Sequence, residues 1–288
     1  MPNGILIIDK PAGWTSMDVC AKVRGLLHEK RVGHGGTLDP MATGVLPVFV
    51  GRATRAVEFA ESGRKGYDAG LRLGLVTDTQ DVTGETLESH PVSVRREELE
   101  AALARFRGDI RQIPPMYSAV KIQGRKLYEL ARKGREVPRE PRPVTIYELE
   151  LLEAESETDY RLRCLCSKGT YIRTLCHDIG RALGCGGAMY SLRRTMAAGF
   201  TLADAVTLED VREQGESLLR PLDSLFAHCP ALTVRSPGQE KRVRSGAPVT
   251  LPGTADGTYR LYGLEGDLLC LSQARGGELK AIKNFFGA

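Results

Sequence analysis

The 288-residue chain lacks any run of about 18 apolar residues, so no membrane-spanning helix is expected. Its N-terminus also lacks the basic region and apolar core of a secretion signal, which makes the cytoplasm the expected location. There is no Cys-x-x-Cys pair. The seven cysteines, Cys20, Cys164, Cys166, Cys176, Cys185, Cys229 and Cys270, are odd in number and scattered, which fits reduced thiols rather than a disulfide framework. Cys164-x-Cys166 with Cys176 and His177 has some look of a zinc ligand set. The two strand cysteines are expected to face opposite ways and to serve packing, so no metal is expected there. Asp78 and Asp81, within Thr77–Gly84, lack the glycine and terminal glutamate spacing of a calcium loop and read as a polar turn. No internal repeat, low-complexity segment or dinucleotide motif stands out.

What is present is an ordinary globular composition, 42% hydrophobic and 26% charged, long enough for one large domain and a small one. The net charge of +4 decides little, but its distribution is informative. Between Tyr117 and Pro143 there are three Lys and five Arg against three Glu, a surplus of five that exceeds that of the whole chain. This is the footprint expected where phosphates are met, although a solvated charged face has the same one-dimensional pattern.

Ile5–Asp9 reads as a short buried strand, Gly66–Leu73, Val144–Leu152 and Tyr160–Cys166 as alternating strands, and Val45–Val50 and Gly186–Met196 as strand-like. Thr15 with Asp18 opens a helix reaching about His28. Ser93 is the expected cap of a helix to Arg107, and Thr170 that of a helix ending at Gly184. Arg52–Glu61, Arg125–Lys133 and Thr201–Gly215 also read as helical. Arg135–Pro143, with three prolines, does not. From about Cys229 the composition shifts to a basic helical segment, Ser236–Ser245, followed by alternating residues from Thr258 to Leu271, which indicates a small β-rich module. The adjacent cations Arg193 and Arg194 are placed to meet phosphate.

The chain is organised around Gly33-His34-Gly35-Gly36-Thr37-Leu38-Asp39-Pro40-Met41-Ala42-Thr43-Gly44-Val45-Leu46-Pro47. Pro40 steers Asp39 away from the helical region, and the glycines allow turns and close approach. One carboxylate is therefore held on a shaped loop; a structural turn in which Asp39 bonds its own backbone is the bland alternative. Arg173 is an oddity of a different kind. It falls in the first turn of its helix, where the dipole disfavours a cation, so it must answer to a nearby carboxylate. Asp178 or Glu157 would serve as well as Asp39 on sequence grounds.

The motif Gly33-His34-x-Gly36-x-Leu38-Asp39-Pro40-x-Ala42-x-Gly44-x-Leu46-Pro47 resembles the catalytic motif of the TruB-type tRNA pseudouridine synthases. Met116–Lys121 through Gly124–Glu129 resembles the RNA-gripping insertion of that family, and the family-like motifs cover most of residues 1 to 226. The resemblance implies a mixed α/β (α+β) catalytic domain over residues 1–226, with a largely antiparallel sheet and a basic insertion at about 117–143. It implies a PUA-like RNA-binding module over 229–288, on a weaker match. It also implies isomerisation of uridine 55 in the tRNA T loop, without metal or redox cofactor, on a base extruded from its stack. By the same resemblance Asp39 is the essential aspartate, Arg173 its ion-pair partner, Tyr67 an aid in removing the C5 proton, His34, Tyr67, Tyr171 and Leu192 substrate contacts, and Lys10 a supporting residue. The expected partner is the tRNA T stem-loop, acted on by a monomer with no obligate protein partner and no membrane. Two rivals remain at this stage. One is a non-catalytic RNA-binding or tRNA-folding module; the other is an Asp-nucleophile phosphatase, which would want magnesium and a second carboxylate near Asp39 that the central loop does not contain.

Overall fold

The computed structural model describes residues 1–122 and 124–286. Gln123 of the basic insertion and the last two residues of the tail module lie outside them. Among the described residues a nine-stranded sheet forms the body, with the seven-strand path Gly4–Lys10, Thr43–Val50, Gly187–Ala197, Lys65–Leu73, Asp159–Cys166, Arg142–Ala154 and Gly108–Gln112, and with Val32–His34 and Phe200–Thr201 paired off it to Thr43–Val50 and Gly187–Ala197. Its pairings are antiparallel except where Arg193 and Arg194 run parallel to Thr43 and Gly44. The architecture is thus mixed α+β with a largely antiparallel sheet, as expected.

Gly4–Lys10 carries aliphatic residues on both faces, and Ile5, Leu6, Ile7 and Ile8 are all buried; although this strand ends the path, the backbones of Val206 and Arg220 bond its outer edge and keep it dry. One face packs under the helices Ser16–Leu26, Arg96–Ala104 and Ile172–Ala182, with Val19, Val23, Leu99, Leu103, Leu175 and Ile179 in a shared core. Each such side chain contributes about 1.5–3 kcal/mol on burial. The helix Ser16–Leu26 starts as its sequence dictates: the Thr15 hydroxyl accepts from the Asp18 amide at 3.0 Å and Asp18 accepts from the Thr15 amide at 2.8 Å.

The tail forms a separate five-stranded sheet, ordered Ala231–Thr233, Gly257–Tyr262, Leu268–Arg275, Glu278–Asn284 and Val249–Thr250, around a core of Val234, Val243, Leu261 and Leu269. The helix Pro237–Arg244 caps on Ser236. Phe226 joins the body to this sheet by packing against both Phe59 and Phe285.

Several local expectations fail for identifiable reasons. Ser93 does not cap; the helix begins at Arg96, with Glu98 reaching back to the Arg95 amide. Thr170 does not cap either: its hydroxyl donates to Ser167 O, and the helix starts one residue later, at Ile172. The stretch 201–215 divides into two capped pieces, because Thr201–Asp204 and Thr207–Asp210 each form a capping box. The insertion's helix is shorter than expected, Leu127–Ala131, preceded by the small ladder Lys121–Ile122 with Arg125–Lys126. Cys164 and Cys166 do not face opposite ways. Strand residues two apart share a face, and both thiols point into the core. Among the described residues no three His, Cys, Asp or Glu side chains are grouped as a metal would need.

Candidate active site

The loop carrying Asp39 is built from both ends. Ser16, at the start of the first helix, receives the Leu38 amide on its hydroxyl at 2.9 Å and is itself buried, so the helix N-terminus fixes the residue before Asp39. The Ala42 amide donates to Asp39 O at 3.0 Å, closing the Asp39–Ala42 turn that Pro40 favours. Gly44 has φ +98° and lies against the Arg194 backbone with no room for a Cβ, so this turn into the strand Thr43–Val50 requires glycine.

Arg173 approaches from the helix Ile172–Ala182, as its position in the first turn predicts, and its partner is Asp39. Nε lies 3.0 Å from Asp39 Oδ2, and one terminal nitrogen donates to Asp39 Oδ1 at 3.4 Å, so the carboxylate is gripped by both oxygens. The guanidinium also donates to Tyr117 O at 2.8 Å and Thr79 O at 3.2 Å, and stands 3.5 Å from Asp81 Oδ2. Neither Asp178 nor Glu157 takes part. The Arg173 and Asp81 side chains are 8% and 6% exposed, whereas Asp39 retains 37% and is the member of the trio that faces out.

Asp81 is the residue that sequence reasoning missed. Thr77–Gly84 is a turn, as expected, but one folded inward against Arg173. Asp81 Oδ1 is occupied by the Thr79 hydroxyl at 3.0 Å and the Thr83 amide at 2.9 Å, which leaves Oδ2 for Arg173. A second carboxylate therefore does lie near Asp39, supplied from 42 residues downstream rather than from the central loop. Its oxygens are engaged by Arg173 and the threonines, not held open beside the Asp39 carboxylate.

Burial pushes the Asp39 carboxyl above the ordinary carboxylate range, against the opposing pull of Arg173, with the Asp81 charge adding to the rise and Lys10 opposing it. Desolvation outweighs the guanidinium. Lys10 is fully buried at the end of the first strand, with Nζ donating to Pro11 O at 2.9 Å and Pro40 O at 3.2 Å. Burial lowers its ammonium while Asp39 opposes the change. Lys10 thus ties the first turn to the residue following Asp39.

Tyr67 and Leu192 come from neighbouring strands and share the core with Leu38 and Ala42, which flank Asp39. Tyr67 is 6% exposed, and burial pushes its phenol up to about 12, so it is neutral in the free protein. Tyr171 is half-buried; Gln112 donates to its carbonyl at 3.2 Å and accepts from its amide at 3.0 Å. His34 ends the short strand Val32–His34, with Nδ1 buried and unpartnered among the described residues; burial, then the Arg194 charge, lowers its pKa. None of these four hydrogen-bonds Asp39 among the described residues, which leaves the exposed side of the carboxylate free of protein partners.

The basic insertion enters the site through its root, because Tyr117 O is an Arg173 acceptor. Beyond it, Lys121, Arg125, Arg132, Lys133 and Arg135 are exposed. Arg193 and Arg194 divide: Arg193 is partly exposed and paired with Asp9 at 2.8 Å, whereas Arg194 is completely buried and cannot meet phosphate as expected from sequence.

An ionisable carboxylate gripped by arginine and open on one side now has relatives to be set beside. The TruB family pseudouridylate synthase N-terminal domain matches residues 24–172, and the tRNA pseudouridylate synthase B C-terminal domain matches 173–227. The tRNA pseudouridine synthase B of Azoarcus sp. (strain BH72) is 46% identical over 264 residues, covering 90% of this chain and 87% of that one. That of Alkaliphilus oremlandii (strain OhILAs) is 49% identical over 246 residues, covering 85% and 82%. Among solved structures, a chain of a Cbf5–Nop10–Gar1 complex aligns over 99% of this chain and 85% of its own with a TM-score of 0.76 and 28% identity. Sequence kinship over most of the length and a shared fold agree with the motif around Asp39: this chain belongs to the TruB family of pseudouridylate synthases.

Proposed function

We propose that the protein isomerises uridine 55 in the T loop of tRNA to pseudouridine, acting as a monomer on the T stem-loop. The N1–C1′ bond breaks, the uracil turns, and a C5–C1′ bond forms; the C5 proton leaves while N1 ends with a hydrogen, so the atoms balance without a redox partner. The observation that carries this reading is the two-oxygen grip of Arg173 on a carboxylate that keeps one face open. Asp39 acts on the nucleoside in its ionised form, as nucleophile or base, and Arg173 holds that charge and its direction. Tyr67, neutral at rest, braces the extruded ring and assists loss of the C5 proton. His34 stacks against the RNA, Tyr171 and Leu192 line the base pocket, and Lys10 supports the loop from behind.

In this reading residues 1–226 are the catalytic domain, 117–143 the RNA-gripping insertion and 229–288 a PUA-like RNA-binding module. The six exposed cations of the insertion, Lys121, Arg125, Arg132, Lys133, Arg135 and Arg142, and the basic last turn of Pro237–Arg244 support both assignments. The named activity of the relatives supports tRNA as substrate. Incubation with T-arm RNA followed by carbodiimide primer extension tests it. Pseudouridine at one position with the wild type, and none with Asp39→Ala at unchanged RNA affinity, is the expected result. Binding without turnover in the wild type would instead leave an RNA-binding module.

A further inference from the structure

Arg194 is the largest fully buried side chain in the molecule among the described residues, and no Asp or Glu lies within ion-pair distance of it there. A guanidinium buried without a counter-ion costs several kcal/mol unless hydrogen bonds replace its water. Its donors go to backbone carbonyls. Nε donates to Val45 O at 2.7 Å, one terminal nitrogen to Gly36 O at 3.2 Å, and the other to Thr37 O at 3.4 Å. These acceptors lie on both sides of Asp39 in sequence, three and two residues before it and six after. The planar fork therefore spans the loop at its base.

The backbone of the same residue is equally constrained. Arg194 pairs with Tyr67 on one side and with Gly44 on the other, at the junction where the sheet turns parallel. Tyr67 and Leu192 lie on the same face as Arg194, and a Cβ on Gly36 would stand 3.6 Å from both Arg194 and Lys65. One side chain thus ties the loop of Asp39 to the strand carrying Tyr67.

We propose that Arg194 is a positioning residue for the isomerisation, fixing the carbonyls of Gly36, Thr37 and Val45 so that Asp39 is held at one reach and angle relative to the Tyr67 strand. The inference rests on the activity proposed above. A carboxylate misplaced by about 1 Å loses on the order of 10²-fold in rate, and a lysine, with one donor centre in place of a fork, cannot span three carbonyls.

The test uses the full chain and T-arm RNA tritiated at uridine C5, because the reaction releases that hydrogen to water. Single-turnover rates with enzyme in saturating excess over RNA, RNA affinity by filter binding and melting temperature are measured for wild type, Arg194→Gln and Arg194→Lys. Assays are run well below each melting point, so that only folded protein is compared. The expected result is a rate about 10²-fold below wild type for both variants, with RNA affinity within about threefold. Should the glutamine form not fold, the lysine form, which keeps the charge and the buried stem, carries the test. In the glutamine form, NMR should also show His34 titrating at higher pH than in wild type, since the Arg194 charge depresses it. A rate within threefold of wild type in a folded variant, or a loss confined to RNA affinity, overturns the assignment. Absence of tritium release from the wild type would instead overturn the activity on which it rests.

Discussion

Replacing Arg173 with methionine separates the structural share of the ion-pair network from its chemical share. The guanidinium serves two carboxylates and two carbonyls, and the most enclosed of these, Asp81, would keep Oδ1 satisfied by Thr79 and Thr83 but lose the only charge facing Oδ2 among the described residues. Stranding one member of a buried pair costs about 3–5 kcal/mol. Asp39 remains 37% exposed, so water screens its half of the loss, and the lower end, about 3 kcal/mol, is expected. At about 2–4 °C per kcal/mol for chains of this order of size, melting should fall by about 6–12 °C. Turnover should fall by about 10²–10³-fold, the usual effect of removing one directed electrostatic partner. Adding Asp81→Asn removes the stranded charge, so the double variant should recover most of the melting temperature and none of the rate. Calorimetry and single-turnover assays on the four proteins of this cycle read the two effects separately. A single variant as stable as wild type, or a double variant with restored turnover, would refute the argument.

Other outcomes follow from the same geometry. Because Asp39 must be ionised and burial raises its pKa above 3.8, the single-turnover rate should decline with falling pH about a midpoint above that value. The sign for stability is opposite: a raised carboxyl favours folding below its unfolded midpoint, and that contribution is lost as pH rises through the folded one. Asp39→Asn should therefore melt at or above wild type near neutrality while losing turnover. Gly44→Ala should destabilise by about 2 kcal/mol or more, read from urea midpoints, since φ is +98° and the new Cβ would meet the Arg194 backbone. Changing Lys121, Arg125, Arg132 and Lys133 to glutamine should lower the slope of log affinity against log salt by up to about 3, leaving turnover at saturating RNA unchanged. An unaltered slope would remove the insertion from the RNA interface.

Features written in side chains at short range were legible. The Thr15–Asp18 box, the Asp-Pro turn, the glycine at 44 and a cation in the wrong end of its helix all state local needs that the fold meets. Arg173 also announced that it had a carboxylate partner, although not which one. What stayed hidden travels through the backbone or across the chain. Tyr117 O and Thr79 O bond Arg173 through carbonyls, for which any residue type would do. Asp81 sits in a turn whose polar composition looks the same whether it is solvated or folded inward. Arg194 was misread because adjacent arginines suggest surface. Yet it falls two residues after Leu192, and strand periodicity places both on the buried face. The caps at Ser93 and Thr170 failed because neither helix start uses a hydroxyl: the Glu98 carboxylate takes the Arg95 amide at the first, and Gln112, from a distant strand, takes the Tyr171 amide at the second.

The most direct measurement of the central claim is the structure of this protein bound to T-arm RNA carrying 5-fluorouridine at the target position. The account predicts an everted nucleotide with the Asp39 carboxylate about 3–3.5 Å from the nucleoside, or bonded to it, and still gripped by Arg173. A target base left stacked in the RNA, or an Asp39 turned away from it with Arg173 bound elsewhere, would contradict the account.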